Sequence, residues 1–181
     1  MTHLPIWYLG KVPSQICDAA CSELELIEPK DASMGIDGAD VKHDHRNTTV
    51  RFAEDGFWFA GILLEHAMKA NRECKWEYDI TFHECLQYAE YGPEQHYKWH
   101  TDTFALSGAP TDRKVTAVCL MSDVTEFEGG QFQMRLYNEY DAPLEKGTII
   151  AFPSILEHRV TPVISGLRKS ATIWLNGPRF K

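Results

Sequence analysis

From Glu77 onward the chain is cut by glycine and proline turns into short alternating runs, and this pattern constrains the fold more than any other feature of the 181 residues. Tyr78, Ile80 and Phe82 alternate with polar neighbours, and Cys85 to Glu90 alternates again. Gly92-Pro93 turns the chain into His96–His100. Residues 105–113 read as a loop and Val115–Met121 as a strand. Glu128-Gly129-Gly130 makes a tight turn into Gln131–Tyr137, and residues 138–143 turn back. Gly147 opens the apolar run Thr148–Phe152, and Gly166 precedes another strand beginning at Arg168. Short strands punctuated in this way bury their apolar faces by laying sheet on sheet. The expected class is mainly β with N-terminal helices (α+β). A double-stranded β-helix, or jelly roll, is expected over 77–178, buttressed by helices from 1–76, all within a single domain of 1–181 with a composition 44% apolar.

The N-terminal part reads as a strand at Leu4–Leu9, then a helix from Pro13 and Ser14, with Ser14 as N-cap. Its apolar side carries Ile16, Ala19, Ala20, Leu24 and Ile27, and Pro29 ends it. Cys17 and Cys21, one turn apart, are packing residues in this reading. Residues 29–49 are polar and read as a loop over the mouth of a site, followed by a short strand at Val50–Phe52. Phe57–Ala70 has a helical pattern, with Phe57, Gly61, Leu64 and Met68 along one stripe.

Two stretches carry chemistry. As a strand, Tyr97-Lys98-Trp99-His100-Thr101-Asp102 places His100 and Asp102 on one face. After the Phe152-Pro153-Ser154 loop comes His158, and Arg168 follows beyond Gly166. Two imidazoles and one carboxylate can grip Fe(II) from one side and leave coordination positions open. A guanidinium beyond the last of them can hold a carboxylate in a two-pronged ion pair. A His-x-Asp alone arises easily by chance. The ordered set of carboxylate strand, intervening hairpins, histidine and arginine does not.

Over residues 82–178 the chain resembles the catalytic core of the 2-oxoglutarate/Fe(II) oxygenases, in their prolyl-4-hydroxylase-like branch. The resemblance rests on Tyr91 through Asp102, Arg113 through Leu120, Phe127-Glu-Gly-Gly-Gln-Phe132, and Phe152 through Arg168. The last of these segments is similar to the bacterial hydroxylases called the PKHD type. The resemblance implies that His100, Asp102 and His158 bind Fe(II) and that Arg168 binds the distal carboxylate of 2-oxoglutarate, with Tyr91 nearby. Some relatives place a tyrosine where Leu120 stands here, and Thr172 is a candidate to take over that contact. Tyr97, Trp99, Arg113 and Trp174 are implied on the substrate side, together with Arg46 from the segment before the core. Thr103 and Arg159 flank the ligands as supporting candidates. The implied reaction is hydroxylation of an unactivated C–H bond, using O2 and coupled to decarboxylation of 2-oxoglutarate to succinate, with ascorbate as a reductant. A prolyl residue in a peptide or protein is the first substrate class, and free proline or another small molecule the second. The retained carboxylate at Asp102 favours hydroxylation over halogenation. A non-enzymatic metal- or ligand-binding jelly roll is the alternative of another class, and Arg168 argues against it.

Charge and composition narrow the partners. A net charge of −8 and a pI near 5.4 offer no basic track for nucleic acid or an anionic membrane. No apolar run reaches the roughly 18–20 residues of a membrane span, and the N-terminus lacks a signal-peptide pattern. Five cysteines without metal-type spacing suggest reduced thiols in a cytoplasmic setting. His43-x-His45 has ligand-like spacing but no third partner, and His66 and His96 read as packed or peripheral side chains.

Overall fold

The computed structural model describes residues 6–32, 44–104 and 109–180. Its N-terminal elements are β1 (Tyr8–Lys11), α1 (Ser14–Leu24), β2 (Lys30–Asp31), β3 (Arg46–Asn47), β4 (Thr49–Phe52) and α2 (Trp58–Glu73). Next come β5 (Phe82–His83), β6 (Gln87–Tyr91), β7 (His96–His100), β8 (Thr111–Leu120), β9 (Phe127–Gly129) and β10 (Phe132–Arg135). The chain closes with β11 (Glu139–Asp141), β12 (Thr148–Pro153), β13 (Glu157–Val160), β14 (Val163–Gly166) and β15 (Arg168–Pro178).

The larger sheet runs β1-β12-β8-β15-β6-β4-β2, with β5 beside β15. A five-stranded sheet runs β11-β10-β13-β7-β3, and β14 pairs with β9. Every pairing is antiparallel. Side-chain alternation divides the larger sheet cleanly. Val115, Ala117, Cys119, Ile149, Ala151, Ala171, Ile173 and Leu175 face α1 and α2 and form one buried cluster with them. Val118, Ile150, Phe152, Ala89 and Tyr91 point the other way. They meet Phe132, Met134 and Val160 of the five-stranded sheet in a second cluster. This is the expected mainly β double-stranded β-helix with helices against one side.

The helices differ from their expected details. The buried stripe of α2 is Phe59, Ala60, Leu63, Ala67 and Ala70. Gly61 is exposed and Phe57, Leu64 and Met68 only flank the stripe, because small alanines let the helix lie close to the sheet. In α1 the buried residues are Cys17, Ala20 and Leu24, while Ala19 faces out. Ser14 is the first helical residue, so Pro13 occupies the cap position and no side chain caps the helix. The first strand starts at Tyr8. Tyr78 and Ile80 pack against the helical core without forming a ladder, and β8 begins at Thr111, so Arg113 belongs to a strand instead of a loop. Most of the expected 29–49 loop, including His43, lies outside the described residues.

Gly166 sets up the site strand. Its φ is 79°, and a Cβ there would strike the Glu126 carbonyl. Glycine therefore makes the turn from β14 that starts β15 at Arg168. Among the described residues no helix is long and apolar enough to cross a membrane, and all five cysteines are free.

Candidate active site

His100 ends β7 and His158 lies opposite it in β13. On β13, His158 and Val160 are two residues apart, whereas their partners on β7, His100 and Tyr97, are three apart. This extra residue is a β-bulge. It turns both Tyr97 and His100 inward, where their rings stack with centroids 3.4 Å apart and planes 13° apart. Asp102 lies just beyond the strand, and its backbone amide donates to the Ser154 carbonyl at 2.9 Å.

The three side chains converge. Asp102 Oδ1 lies 3.6 Å from His100 Nε2, and its Oδ2 lies 3.4 Å from His158 Nε2. One ligand atom from each residue fits within 4.8 Å of the others, the arrangement a single metal ion needs. Both Nδ1 atoms face backbone carbonyls, of Lys98 at 2.8 Å and of Leu156 at 3.0 Å. A proton on each Nδ1 donates to those carbonyls and leaves each Nε2 lone pair aimed at the centre. Thr116 on β8 donates to Asp102 Oδ2 at 2.8 Å, and its hydroxyl is 3.0 Å from that of Ser154. Burial of Asp102 opposes its charge, but the adjacent imidazoles outweigh burial and hold the carboxyl below its usual range. Burial is the main cause that pushes His100 down to about 3, which keeps its imidazole neutral. Burial likewise pushes the Tyr97 hydroxyl up to about 12.

The trio opens into a cavity of about 390 Å³ between the two sheets. Arg168 lies on its wall, 2% exposed. Among the described residues its Nε has no hydrogen-bond partner, and Nη1 donates to the Ser170 hydroxyl at 3.3 Å. The Tyr91 ring lies 5.4 Å from the guanidinium carbon. Burial lowers the Arg168 pKa, as expected for a cation without a counter-ion. A buried cation of this kind is costly unless an anion joins it, so Arg168 suits a carboxylate ligand. Leu120 is apolar and lies beside Arg168. Thr172 lines the main cavity, but Ser170 is the hydroxyl that touches Arg168.

At the mouth, Arg113 donates through Nε and Nη2 to the two oxygens of Glu84 at 2.6 and 2.5 Å. It also lies over the Trp174 ring at 4.0 Å and the Phe104 ring at 4.5 Å. Arg46 reaches the cavity from β3 and covers the Tyr97 ring at 4.7 Å.

Trp99 is the exception among the expected site residues. It points to the opposite face of β7, between Arg135 at 4.4 Å and Arg159 at 4.5 Å, as alternation from the neighbouring His100 dictates. Arg159 shares that outer face, donating to Gln133 at 2.6 Å, and does not support the ligands. Thr103 lines the cavity and donates to Asp112 at 2.7 Å. His96 faces the carbonyls of Glu94 and Asp44, away from the centre. Thr116, Ser170, Gln87 and Glu84 also line the cavity and were not expected from the sequence. Alternation from Arg168 along β15 was the available signal for Ser170.

Thr116→Val keeps the shape and removes the hydroxyl that steadies Asp102. Weakening of divalent-metal affinity by about 10- to 100-fold is expected, in line with the loss of a group that orients a ligand. Mn(II) titration followed by electron paramagnetic resonance checks it, and unchanged affinity would refute the role given to Thr116.

The chain is similar to known proteins in sequence and in fold. The sequence model of the 2OG-Fe(II) oxygenase superfamily matches residues 86–176. A PKHD-type hydroxylase of Picosynechococcus is 33% identical over 91 residues, which cover 50% of this chain and 41% of the relative. One from Azoarcus is 31% identical over 88 residues, covering 46% and 39%. The chain thus spans about two-fifths of the length of the curated relatives it matches. Among solved structures, a prolyl-4-hydroxylase of Pseudomonas putida superposes with a TM-score of 0.75 at 21% identity, covering 96% of this chain and 93% of that one. A Trichoplax adhaerens prolyl hydroxylase in complex with a hypoxia-inducible-factor oxygen-degradation-domain peptide superposes with a TM-score of 0.74 at 14% identity, covering 96% and 84%. At these identities the structures speak to the fold.

Proposed function

The chain belongs to the 2OG-Fe(II) oxygenase superfamily, and from that premise we propose that it is an Fe(II)- and 2-oxoglutarate-dependent hydroxylase of the PKHD, prolyl-4-hydroxylase-like kind. Its target is an unactivated C–H bond, with a prolyl residue of a peptide or protein as the first substrate class. One observation carries the reading: the buried Arg168, with no counter-ion among the described residues, shares a cavity with the His100, Asp102 and His158 trio. A metal site with only a structural role has no use for that cation.

His100, Asp102 and His158 would hold the iron, and the donor set of two neutral imidazoles and one carboxylate suits it. Bound there, iron supplies the activation of O2 that couples decarboxylation of 2-oxoglutarate, giving succinate, to C–H hydroxylation. Arg168 receives the distal carboxylate of the co-substrate, with the Ser170 hydroxyl beside it and the Tyr91 ring packed against it. Thr116 and Ser154 fix the orientation of Asp102. Tyr97, stacked on His100, keeps water from one side of the site. At the mouth, Arg113, Glu84 and Trp174 make a rigid platform for the substrate. In this reading residues 1–181 act as one domain, because α1 and α2 share a core with the catalytic sheet, and the free thiols suit a reducing, cytoplasmic setting.

The test is succinate formation from 2-oxoglutarate with Fe(II), O2 and ascorbate, screened against proline-containing peptides and free proline. Succinate above background together with a product heavier by one oxygen atom is expected. Iron-loaded, folded protein that forms no succinate with any of them would overturn the reading.

A further inference from the structure

Among the described residues, the cavity holds a second buried cation without a counter-ion. Arg46 is 7% exposed, its Nε has no hydrogen-bond partner, and among the described residues no carboxylate forms an ion pair with it. Its guanidinium lies against the same Tyr97 ring that stacks on His100, so one aromatic ring touches both the arginine and a residue of the metal trio. The short strand β3 fixes it there, with Arg46 paired opposite Tyr97 and Asn47 opposite His96.

Charge balance assigns its ligand, given the co-substrate reading above. The charges of iron and Arg168 are cancelled by those of Asp102 and the doubly charged 2-oxoglutarate. Arg113 is cancelled by Glu84 in a two-pronged pair. Among the described residues Arg46 alone remains uncompensated in a cavity where an unpaired charge is costly. A neutral substrate leaves that cost in place, whereas one bearing a carboxylate removes it. The guanidinium fork also matches a carboxylate with two parallel hydrogen bonds. We propose that Arg46 binds a carboxylate of the substrate. The target carbon then lies near a free carboxyl group, as in a free amino acid or the C-terminal residue of a peptide, and not within an uncharged stretch of chain.

The test separates this proposal from the co-substrate reading on which it rests. Protein loaded with Mn(II) and saturated with N-oxalylglycine, an unreactive analogue of the co-substrate, is titrated calorimetrically with matched probes. These are L-proline against L-prolinamide, and a short peptide ending in proline against its C-terminal amide. In each pair the carboxylate probe is expected to bind at least about tenfold more tightly, a difference of about 1.4 kcal/mol. Arg46→Gln is expected to bring that ratio close to one, and Arg46→Lys to retain part of it. Affinity for N-oxalylglycine should stay within about twofold in both variants, since Arg168 is untouched. If only the peptide pair discriminates, the carboxylate belongs to a peptide end; if only the proline pair does, it belongs to a free amino acid. Equal binding of acid and amide in both pairs overturns the proposal, and so does a ratio that survives Arg46→Gln or a failure of every carboxylate probe to bind. Loss of N-oxalylglycine binding in the wild type would instead remove the co-substrate reading.

Discussion

Asp102→Ala is expected to abolish turnover, leaving less than about one-thousandth of wild-type succinate formation, a loss of more than about 4 kcal/mol of transition-state stabilisation. The size follows from the geometry. Asp102 is the anionic member of the trio, and its two oxygens face the Nε2 atoms of His100 and His158 from 3.6 and 3.4 Å. Removing it leaves two neutral imidazoles and no charge to oppose a dication. Metal affinity should therefore fall together with turnover, as Mn(II) titration would show. The fold should survive, because the neighbouring Thr116 and Ser154 hydroxyls can satisfy one another at 3.0 Å and the Asp102 amide keeps its bond to the Ser154 carbonyl. Near-wild-type turnover in a folded Asp102→Ala protein would sink the assignment of the metal site.

The β half of the fold was legible because its faces alternate. On β15, Arg168, Ser170, Thr172 and Trp174 share the cavity while Ala171, Ile173 and Leu175 face the helices, a division written directly in the sequence. His100, Asp102 and His158 could be found for the same reason, together with their spacing. Tyr97 shows where alternation misleads: counted back from His100 it should share the outer face with Trp99, yet it stacks on His100. Both faces of β7 carry aromatic residues, and a bulge opposite β13 decides which of them enter the cavity. A bulge depends on the partner strand, so one strand's own sequence does not reveal it. Glu84 and Thr116 were missed for a related reason. Their roles arise from Arg113 and Asp102, which are distant from them in the chain and meet them only in the folded structure. The inner face of α2 was misplaced because Ala60, Ala67 and Ala70 bury fully without a strong apolar signature, whereas the larger Leu64 and Met68 sit at the margin.

Replacing Arg168 should separate stability from function. Arg168→Met keeps most of the side-chain volume and removes the charge, and it is expected to weaken 2-oxoglutarate binding by about 30- to 1000-fold, or roughly 2–4 kcal/mol, the usual loss when one member of a buried charged pair is removed. Iron or Mn(II) affinity should stay within about twofold, since Arg168 makes no hydrogen bond or ion pair with His100, Asp102 or His158. With the co-substrate absent, the same variant should unfold at an equal or higher urea concentration than the wild type. Arg168 is 2% exposed with an unpartnered Nε, and an apolar side chain of similar volume avoids the desolvation of an unpaired cation. Arg168→Lys should recover only part of the affinity, because a single ammonium cannot reproduce the planar fork, and Leu120 offers no polar group nearby to assist it. Equilibrium binding of 2-oxoglutarate and urea denaturation of the apo-protein, measured on the same preparations, check both halves. Loss of metal binding in Arg168→Met, or lower apo stability with unchanged co-substrate affinity, would make Arg168 a structural residue. Higher stability with lost binding is the expected signature of a cation that the fold holds at a cost because the co-substrate needs it.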